Sequence, residues 1–192
     1  MQRLRSDEHF GETFEGLDLS EVDLTEHSFE DCVFLRCNLA RARLTRARFL
    51  GCTFTECDLS NVDLGSARFR DPSFVASKLL GWSFNSLTDL VNPEFLDCRL
   101  NYSNFVGLKL KKTQFKSCQL IEVDFAGTDL TESTFEGSDL LRARFANTKL
   151  TKADFSGATR YLINPLENQV KGARFSMPEA QGLLTALGIV IV

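Results

Sequence analysis

The chain has 192 residues, which is long enough for one domain with a buried core, and its 43% hydrophobic and 25% charged residues are typical of a soluble globular protein. Its formal net charge of −4 is mildly acidic and by itself indicates no class of partner. The N-terminal sequence lacks the apolar segment of a signal peptide, and no apolar run approaches the roughly 18–20 residues of a membrane span, so we expect a cytoplasmic protein. The 17 phenylalanines, against two tyrosines and one tryptophan, require a structural explanation.

A large apolar residue recurs every five positions along most of the chain. The period covers residues 14–84, slips by one residue within 85–90 and resumes over residues 90–155, and every position in it is Phe or Leu. Five residues match neither the 3.6-residue period of a helix nor the two-residue alternation of a strand, so the repeat itself must define the fold. Residues 1–11 precede the period and are predicted to form an N-terminal cap, in which Phe10 is out of phase and covers the first coil.

The identities of these residues contain a second period of four units. One set contains only Phe: Phe14, Phe34, Phe54, Phe74, Phe95, Phe115, Phe135 and Phe155. A second set contains only Leu, and two others exchange Phe for Leu at the slip, so every group of four keeps two of each. Like residues therefore stack in columns along a four-sided solenoid of constant interior volume. The extra residue within 85–89 is then a bulge at one corner. Trp82 lies nearby, at a position that prefers small residues. It either fills space created by the bulge or protrudes to meet a partner.

Motifs such as CDLSN, VDLGS, ADFSG and SDLLR resemble the pentapeptide repeat family, whose pattern is small–Asp/Asn–Leu/Phe–polar–any. The resemblance covers residues 12–158 and implies an all-β fold, a right-handed quadrilateral β-helix with the central Leu or Phe and the residue two before it pointing inward. At ~4.8 Å per coil, about seven coils would form a rod of roughly 34 Å. Residues 159–192 are expected to form a C-terminal cap, a short helix and a dimerisation tail.

The six cysteines occupy the small position two residues before a central Phe or Leu: Cys32, Cys37, Cys52, Cys57, Cys98 and Cys118. The first four have the paired C-x4-C spacing of a zinc ribbon, which is one interpretation. The repeat phase favours another, because Ala, Ser, Thr and Val fill this position elsewhere and buried Cys behaves as a small hydrophobe. Three pairs stack in the 20-residue register, but parallel side chains do not suit disulfide geometry, so we expect reduced thiols and no metal.

No cluster of residues in the sequence has the pattern of a catalytic or cofactor site. The two histidines are His9 and His27, and HExxH, GxSxG, P-loop and GxGxxG motifs are absent. Asp58 and Asp63 occupy the outward position before a central residue, where Asp is more often a turn residue of the repeat than an acid or base. A solenoid packed with side chains also leaves no interior pocket for a substrate. We therefore expect a non-enzyme without a cofactor.

Charged residues on the outside alternate in bands close to one coil in length. Residues 15–31 and 122–139 contain acidic but no basic residues, whereas residues 36–48 contain five arginines and no acidic residue. Opposite charges such as Asp23 and Arg43 fall on successive coils. One interpretation is a ladder of ion pairs between coils, each of which contributes little at the surface. The other is an acidic stripe that imitates the phosphates of DNA.

The repeat pattern stops at Arg160, where the next central residue is due. Three apolar residues are expected to turn inward and cover the open end of the solenoid: Tyr161, Leu162 and Ile163. The stretch SMPEAQGLLTALG then predicts a short helix that is capped by Ser176 or Met177, has Pro178 as its first residue and ends at Gly188.

The helix and the tail after it present an apolar surface. The residues predicted to form this surface, and the interface if the protein is a dimer, are Leu183, Leu184, Leu187, Ile189, Val190 and Ile191. The surface either folds as a lid on the last coil or forms a two-fold interface with a second copy. The stretch INPLENQVKGARFSMPEAQGLLTALGIVIV is similar to the C-terminus of pentapeptide repeat proteins that protect bacterial topoisomerases, including quinolone-resistance proteins and immunity proteins against gyrase-poisoning peptides. This resemblance favours the dimer and implies a rod that resembles duplex DNA.

The same resemblance implies a homodimer that binds DNA gyrase or a related type II topoisomerase and protects it from a quinolone or a peptide toxin, or changes its response to one. Four outward acidic residues would stand in for DNA phosphates: Asp124, Asp129, Asp139 and Asp154. Such a protein contacts neither nucleic acid nor a membrane. The alternative is a structural or scaffold repeat protein with another protein partner, for which Leu35, Leu50 and Leu80 are candidate outward apolar contacts.

Overall fold

The structure, a computed structural model, describes residue 4 and residues 6–190. The chain winds as an all-parallel β-solenoid of about eight turns that ends in one short α-helix. The strands are β1 (Glu8–Phe10), β2 (Thr13–Glu15), β3 (Ser28–Glu30), β4 (Val33–Leu35), β5 (Arg48–Leu50), β6 (Thr53–Thr55), β7 (Arg68–Arg70), β8 (Ser73–Val75), β9 (Asp89–Val91), β10 (Glu94–Leu96), β11 (Gln114–Lys116), β12 (Asp154–Phe155) and β13 (Arg174–Phe175). The helix, α1, spans Gln181–Ala186. The four-sided solenoid predicted from the five-residue period and the all-β fold implied by the resemblance are confirmed.

Each turn of the solenoid has four sides, on which equivalent residues of successive turns pair in register. One side, the β1 face, is the sheet β1-β3-β5-β7-β9, and another, the β2 face, is the sheet β2-β4-β6-β8-β10-β11. The other two sides pair through isolated bridges, such as Asn38 with Asp58 on the Asn38 face and Arg43 with Asp63 on the Arg43 face. These partners lie 20 residues apart, so one turn takes four pentapeptides.

The central Phe and Leu residues fill the interior in columns. Phenyl rings on successive turns are nearly parallel, with centroids 4.8 Å apart for Phe34 and Phe54 and 5.1 Å apart for Phe115 and Phe135. All predicted central residues are buried except Leu90, which is half-buried beside the extra residue. Burying one such side chain contributes about 1.5–3 kcal/mol of transfer free energy, so the columns are the main source of stability.

The position two before each central residue also faces inward and often supplies a hydrogen-bond donor. All six cysteines are buried and free. Cys57 Sγ donates to the carbonyl oxygen of Phe34 on the preceding turn at 3.3 Å. Ser138 Oγ donates to the carbonyl oxygen of Phe115 at 2.6 Å in the same way. The position therefore selects small side chains that satisfy a main-chain carbonyl, which agrees with the core interpretation of the cysteines.

The corners combine a left-handed backbone residue with a side chain that accepts a local hydrogen bond. At Gly81, φ is +70° and a Cβ would lie 2.8 Å from Oδ1 of Asn61, so a larger residue there would force a shift. Asp58 Oδ1 accepts a hydrogen bond from the main-chain N–H of Ser60 at 3.0 Å. Asp63 makes the equivalent bond to the N–H two residues later at 3.1 Å. Both aspartates are therefore turn residues, as the repeat pattern indicated.

The extra residue in the repeat forms a single turn of 3-10 helix, Phe84–Ser86. Strand pairing continues past it with partners 21 residues apart, as in Arg68 with Asp89. Trp82 is fully buried beside this turn, and its Nε1 donates to the carbonyl oxygen of Leu59 at 2.6 Å. Of the two interpretations of Trp82, the structure shows the one in which the indole fills space.

The N-terminal end differs from the predicted cap of residues 1–11. His9 points inward and stacks on Phe29 with ring centroids 4.9 Å apart. Phe10 is 70% exposed, so the prediction that it covers the first coil is wrong. Neighbouring residues of a strand point to opposite sides, and His9 is the one that lies five residues before Phe14. Because β1 pairs with β3, the solenoid begins before residue 12, with His in a central position.

The solenoid also extends beyond the predicted boundary at residue 158. Strand β13 pairs with β12, and Phe175 packs against the core. Tyr161 and Ile163 are buried as expected, whereas Leu162 is 74% exposed because alternate residues of an extended segment face opposite ways. These incomplete turns bring the solenoid to about eight turns, one more than predicted.

Helix α1 is shorter than predicted. It begins at Gln181, after a series of turns, and no side chain caps its N-terminus, so Pro178 is not its first residue and neither predicted cap is used. The helix ends just before Gly188, whose φ is +77°, as the sequence indicated. Six residues are too few for a helix that is stable by itself. Its stability therefore depends on packing, and Leu183 supplies the contact with the core.

Candidate partner-binding surfaces

Most charged side chains on the outside are paired between neighbouring coils. Every ion pair that joins Lys or Arg to Asp or Glu among the described residues links adjacent coils. Arg43 Nη1, for example, lies 3.0 Å from Asp23 Oδ2. The ladder interpretation of the charge bands therefore describes most of the surface. Because these side chains are largely exposed to solvent, each pair contributes little to the stability of the fold.

The four aspartates predicted to face a topoisomerase do not share one surface. The bridges place Asp124 on the Arg43 face, Asp129 on the β1 face, Asp139 on the Asn38 face and Asp154 on the β2 face. A step of five residues turns one corner of the solenoid, so residues share a face only when they are about 20 apart. No flat partner can contact all four at once.

Each of these four carboxylates is also engaged locally. One oxygen accepts the main-chain N–H two residues later. The other lies beside a cation on a neighbouring coil, and the pairs are Asp124 with Arg144, Asp129 with Lys111 and Lys149, Asp139 with Arg160, and Asp154 with Arg174. Partial burial alone would raise the pKa of Asp129, but its hydrogen bonds with Thr131 and the two nearby lysines hold that pKa below its ordinary value. These residues form turns and the ladder, and little free negative charge remains.

Acidic residues without a cation lie around the middle of the β2 face. This β2-face acidic patch comprises Glu94 on β10 and three corner residues that flank the strands of the face, Asp71 before β8, Glu56 after β6 and Asp97 after β10. None of the four has a Lys or Arg nitrogen within 4.0 Å among the described residues. Two of them bind neutral amides instead, Glu94 at 3.4 Å from Gln114 and Asp71 at 2.8 Å from Asn92. For Asp71 and Glu94 the sequence contains a signal, since no Lys or Arg lies 20 or 21 residues away. For Glu56 and Asp97 only the structure shows that the nearby Arg36 and Lys116 are already paired with Glu15 and Glu136.

The C-terminal end presents an exposed apolar surface. Leu183 is half-buried against the core, so it does not share the exposed side of α1 as predicted. The exposed apolar residues of the helix and tail are Leu184, Leu187, Ile189 and Val190. The remaining predicted residue, Ile191, lies outside the described residues. Other exposed apolar residues of the last turn are Leu162, Leu166 and Met177.

Family models for pentapeptide repeats match most of the chain. The one described as a pentapeptide repeat region matches residues 47–125, and the one described as pentapeptide repeats (8 copies) matches residues 13–49 and 118–157. The chain belongs to the pentapeptide repeat family. No curated protein matches it significantly.

Solved structures of pentapeptide repeat proteins with different roles share this fold. A trypsin-treated variant of QnrB1, a plasmid-mediated fluoroquinolone resistance protein, has a TM-score of 0.55 at 18% identity, over 96% of this chain and 100% of that chain. HetL, which is involved in heterocyst differentiation regulation in the cyanobacterium Nostoc sp. strain PCC 7120, has a TM-score of 0.55 at 17% identity, over 88% of this chain and 89% of that chain. At these identities the similarity shows a shared fold alone.

The buried thiols differ in acidity, because a hydrogen bond between stacked cysteines lowers the pKa of one partner: the bond with Cys57 lowers the pKa of Cys37 to about 7, and the bond with Cys118 lowers the pKa of Cys98. Burial raises the pKa of Cys52 to about 12. The hydrogen bond with Cys37, together with burial, raises the pKa of Cys57.

In the described part of the chain, no group of three or more His, Cys, Asp or Glu side chains is placed to hold a metal ion. No helix in that part is long and apolar enough to cross a bilayer.

Proposed function

We propose that this pentapeptide repeat protein is a non-catalytic, cytoplasmic binding protein that acts as a homodimer on DNA gyrase or a related type II topoisomerase. It protects the enzyme from a poison such as a quinolone or a peptide toxin, or changes the response of the enzyme to it. The observation that carries the proposal is the exposed apolar C-terminal end, because such a surface marks a contact with another molecule. The choice of partner is supported by the resemblance of residues 163–192 to the topoisomerase-protecting branch.

In the proposed dimer, two copies meet end to end about a two-fold axis. Leu184, Leu187 and Ile189 of one copy contact the same patch of the other, since a two-fold interface pairs a surface with itself. The short helix α1 gains the second packed side that it lacks in the single chain. Two solenoids of about eight turns each, at ~4.8 Å per turn, form a rod of roughly 75 Å.

The proposed imitation of DNA phosphates rests on uncompensated charge. The four aspartates predicted from the sequence are paired with cations, so a basic partner gains little from them. The β2-face acidic patch keeps its charge available for a basic surface such as the DNA-binding saddle of a topoisomerase. In this proposal the β2 face is the side that meets the enzyme.

A gyrase supercoiling and cleavage assay, with and without a quinolone, tests this proposal. Fewer cleavage complexes with supercoiling restored would establish protection, and plain inhibition of supercoiling would support binding by mimicry alone. No effect at about 50 μM protein contradicts the proposal for that enzyme and drug.

The matched variants for this assay each remove four negative charges. The variant E56Q/D71N/E94Q/D97N is expected to lose most of the effect, because it neutralises the β2-face acidic patch. The control D124N/D129N/D139N/D154N is expected to keep it, since Asn occupies the same turn position at Asn38 and Asn104. Equal losses in the two variants would contradict the role of the patch.

A scaffold that binds a different protein is the second candidate. The β2 face favours it, because Val75 and Leu96 point outward beside the acidic patch and Val33 and Leu35 point outward on a preceding coil of the same face. Leu50 and Leu80 lie on the β1 and Asn38 faces, so they do not join Leu35 in one surface. Binding through apolar contacts persists at about 0.5 M salt, whereas binding by charge mimicry weakens.

A further inference from the structure

Arg48 and Arg68 lie side by side on the β1 face without a counter-ion. They are register partners on strands β5 and β7, and both are exposed. Neither has a carboxylate oxygen within 4.0 Å among the described residues, although most other Lys and Arg side chains have one. Like charges directly opposite each other in a sheet are destabilising. The needs of folding therefore do not explain this pair.

Two carboxylates close to the pair are engaged by other arginines. Asp89, the register partner of Arg68 on the next coil, accepts a hydrogen bond from Arg70 Nε at 2.8 Å. Glu26 accepts one from Arg46 Nε at 2.8 Å. The carboxylates on both sides of Arg48 and Arg68 are therefore already paired with other arginines, and the positive charges of these two residues have no counter-ion.

Both arginines of the pair border two open depressions on the solenoid surface. The first is also lined by Ser66 and Thr88, and the second by Ser28 and Glu30. A ligand can therefore approach both guanidinium groups from solvent. Glu30 is the one carboxylate in these linings that has no ion pair among the described residues, and it opposes an anion there.

We propose that Arg48 and Arg68 form a binding site for a phosphate monoester. Their strands are about 4.8 Å apart, so two guanidinium forks are presented to one group. The two oxygens of a carboxylate can be bound by a single guanidinium group, which leaves none for the second arginine. A terminal phosphate has three oxygens, so both guanidinium groups can donate hydrogen bonds to it. Its charge, between about −1.5 and −2 at pH 7, also balances the pair, which a singly charged carboxylate or phosphodiester does not. The site is separate from the C-terminal end and from the β2-face acidic patch.

The test is an NMR titration of the arginine Nε–Hε signals of the full chain with inorganic phosphate at pH 7.5 and constant ionic strength. We expect saturable shifts confined to Arg48, Arg68 and their neighbours, and no such shifts with acetate at the same ionic strength. Shifts spread over all arginines, equal shifts with acetate, or no saturation would overturn the proposal. This readout uses the unmodified protein, so it does not depend on the folding of a variant.

The variants sharpen the same measurement. R48Q and R68Q are each expected to weaken phosphate binding at least tenfold, while R43Q, which removes an equally exposed but paired arginine, leaves it unchanged. E30Q is expected to tighten binding two- to threefold by removing the opposing charge. Unchanged binding in R48Q/R68Q would refute the site. Titrations with adenosine monophosphate and O-phosphoserine then identify the molecule that carries the phosphate. Tighter binding of adenosine monophosphate indicates a nucleotide, and tighter binding of O-phosphoserine indicates a phosphorylated side chain. Equal binding of the two shows that the site recognises the phosphate group itself.

Discussion

Trp82 and Leu59 are joined across neighbouring coils by a hydrogen bond from the indole Nε1 to the carbonyl oxygen, 2.6 Å long. Trp82 occupies the inward position that is filled elsewhere by Cys, Ser, Thr or Ala. Its ring lies 4.9 Å from that of Phe84 and 5.6 Å from that of Phe69, measured between centroids. The indole lies fully buried beside the 3-10 turn that contains the extra residue, where it fills interior space and satisfies the carbonyl.

The Trp82→Ala variant is expected to lose about 3–5 kcal/mol of unfolding free energy, because it leaves a large cavity and an unpaired carbonyl. Urea denaturation followed by circular dichroism measures the loss. Phe10→Ala is the control, with an expected change within about 0.5 kcal/mol because that ring is exposed. A loss below about 1 kcal/mol in Trp82→Ala would show that the interior closes without the indole.

The six thiols are expected to resist alkylation in the folded protein. All six are buried inside the solenoid, which keeps the reagent from the sulfur atoms, and burial also raises the pKa of Cys52 to about 12. Iodoacetamide at pH 7.5, followed by mass spectrometry, should leave the native chain unmodified and label all six positions in urea. Rapid labelling of any cysteine in the native protein would contradict the packing described above.

Stability is expected to fall as the pH drops from about 5 to about 3. The pKa values of Asp58, Asp129 and Asp154 are lowered in the folded state, so the unfolded chain takes up protons first and unfolding becomes easier. The stabilisation is present above the usual Asp pKa of about 3.9 and is lost as the pH falls through the lowered values. Urea midpoints at pH 7, 5, 4 and 3 should trace this loss. Asp129→Asn should flatten the profile, because it removes one of the carboxyl groups whose pKa is lowered in the folded state.

The C-terminal contact is expected to make the protein a dimer of about 43 kDa, twice the chain mass of 21.6 kDa. Light scattering after size exclusion should give this mass for the wild type and the monomer mass for the double variant Leu184→Asp/Leu187→Asp. Leu50→Asp places the same charge on an exposed leucine of the β1 face and should remain dimeric. A wild-type chain that is monomeric at about 50 μM would refute the dimer and leave the acidic patch to be tested separately.

The interior could be read from the sequence because the inward direction of each residue is set locally. Each corner turns after five residues, so Phe34 and Leu39 face inward wherever the neighbouring turns lie. The same local logic identified Asp58 and Asp63 as turn residues. It failed for His9, which occupies a central position although it is neither Phe nor Leu, and for the extra turn up to Phe175, where the residue pattern is incomplete.

The sequence by itself determined the five-residue repeat, the four columns and the place of the extra residue, because packing inside a closed cross-section allows only residues of matched volume. The tertiary structure decided the ends and the surface, because those depend on contacts between turns. Asp89 lies near both Arg68 and Arg70, and only side-chain reach assigns it to Arg70, which leaves Arg68 beside Arg48 without a counter-ion. Likewise, only the winding of the chain separates Asp124, Asp129, Asp139 and Asp154 onto four faces, since residues close in sequence turn a corner while residues 20 apart share a side.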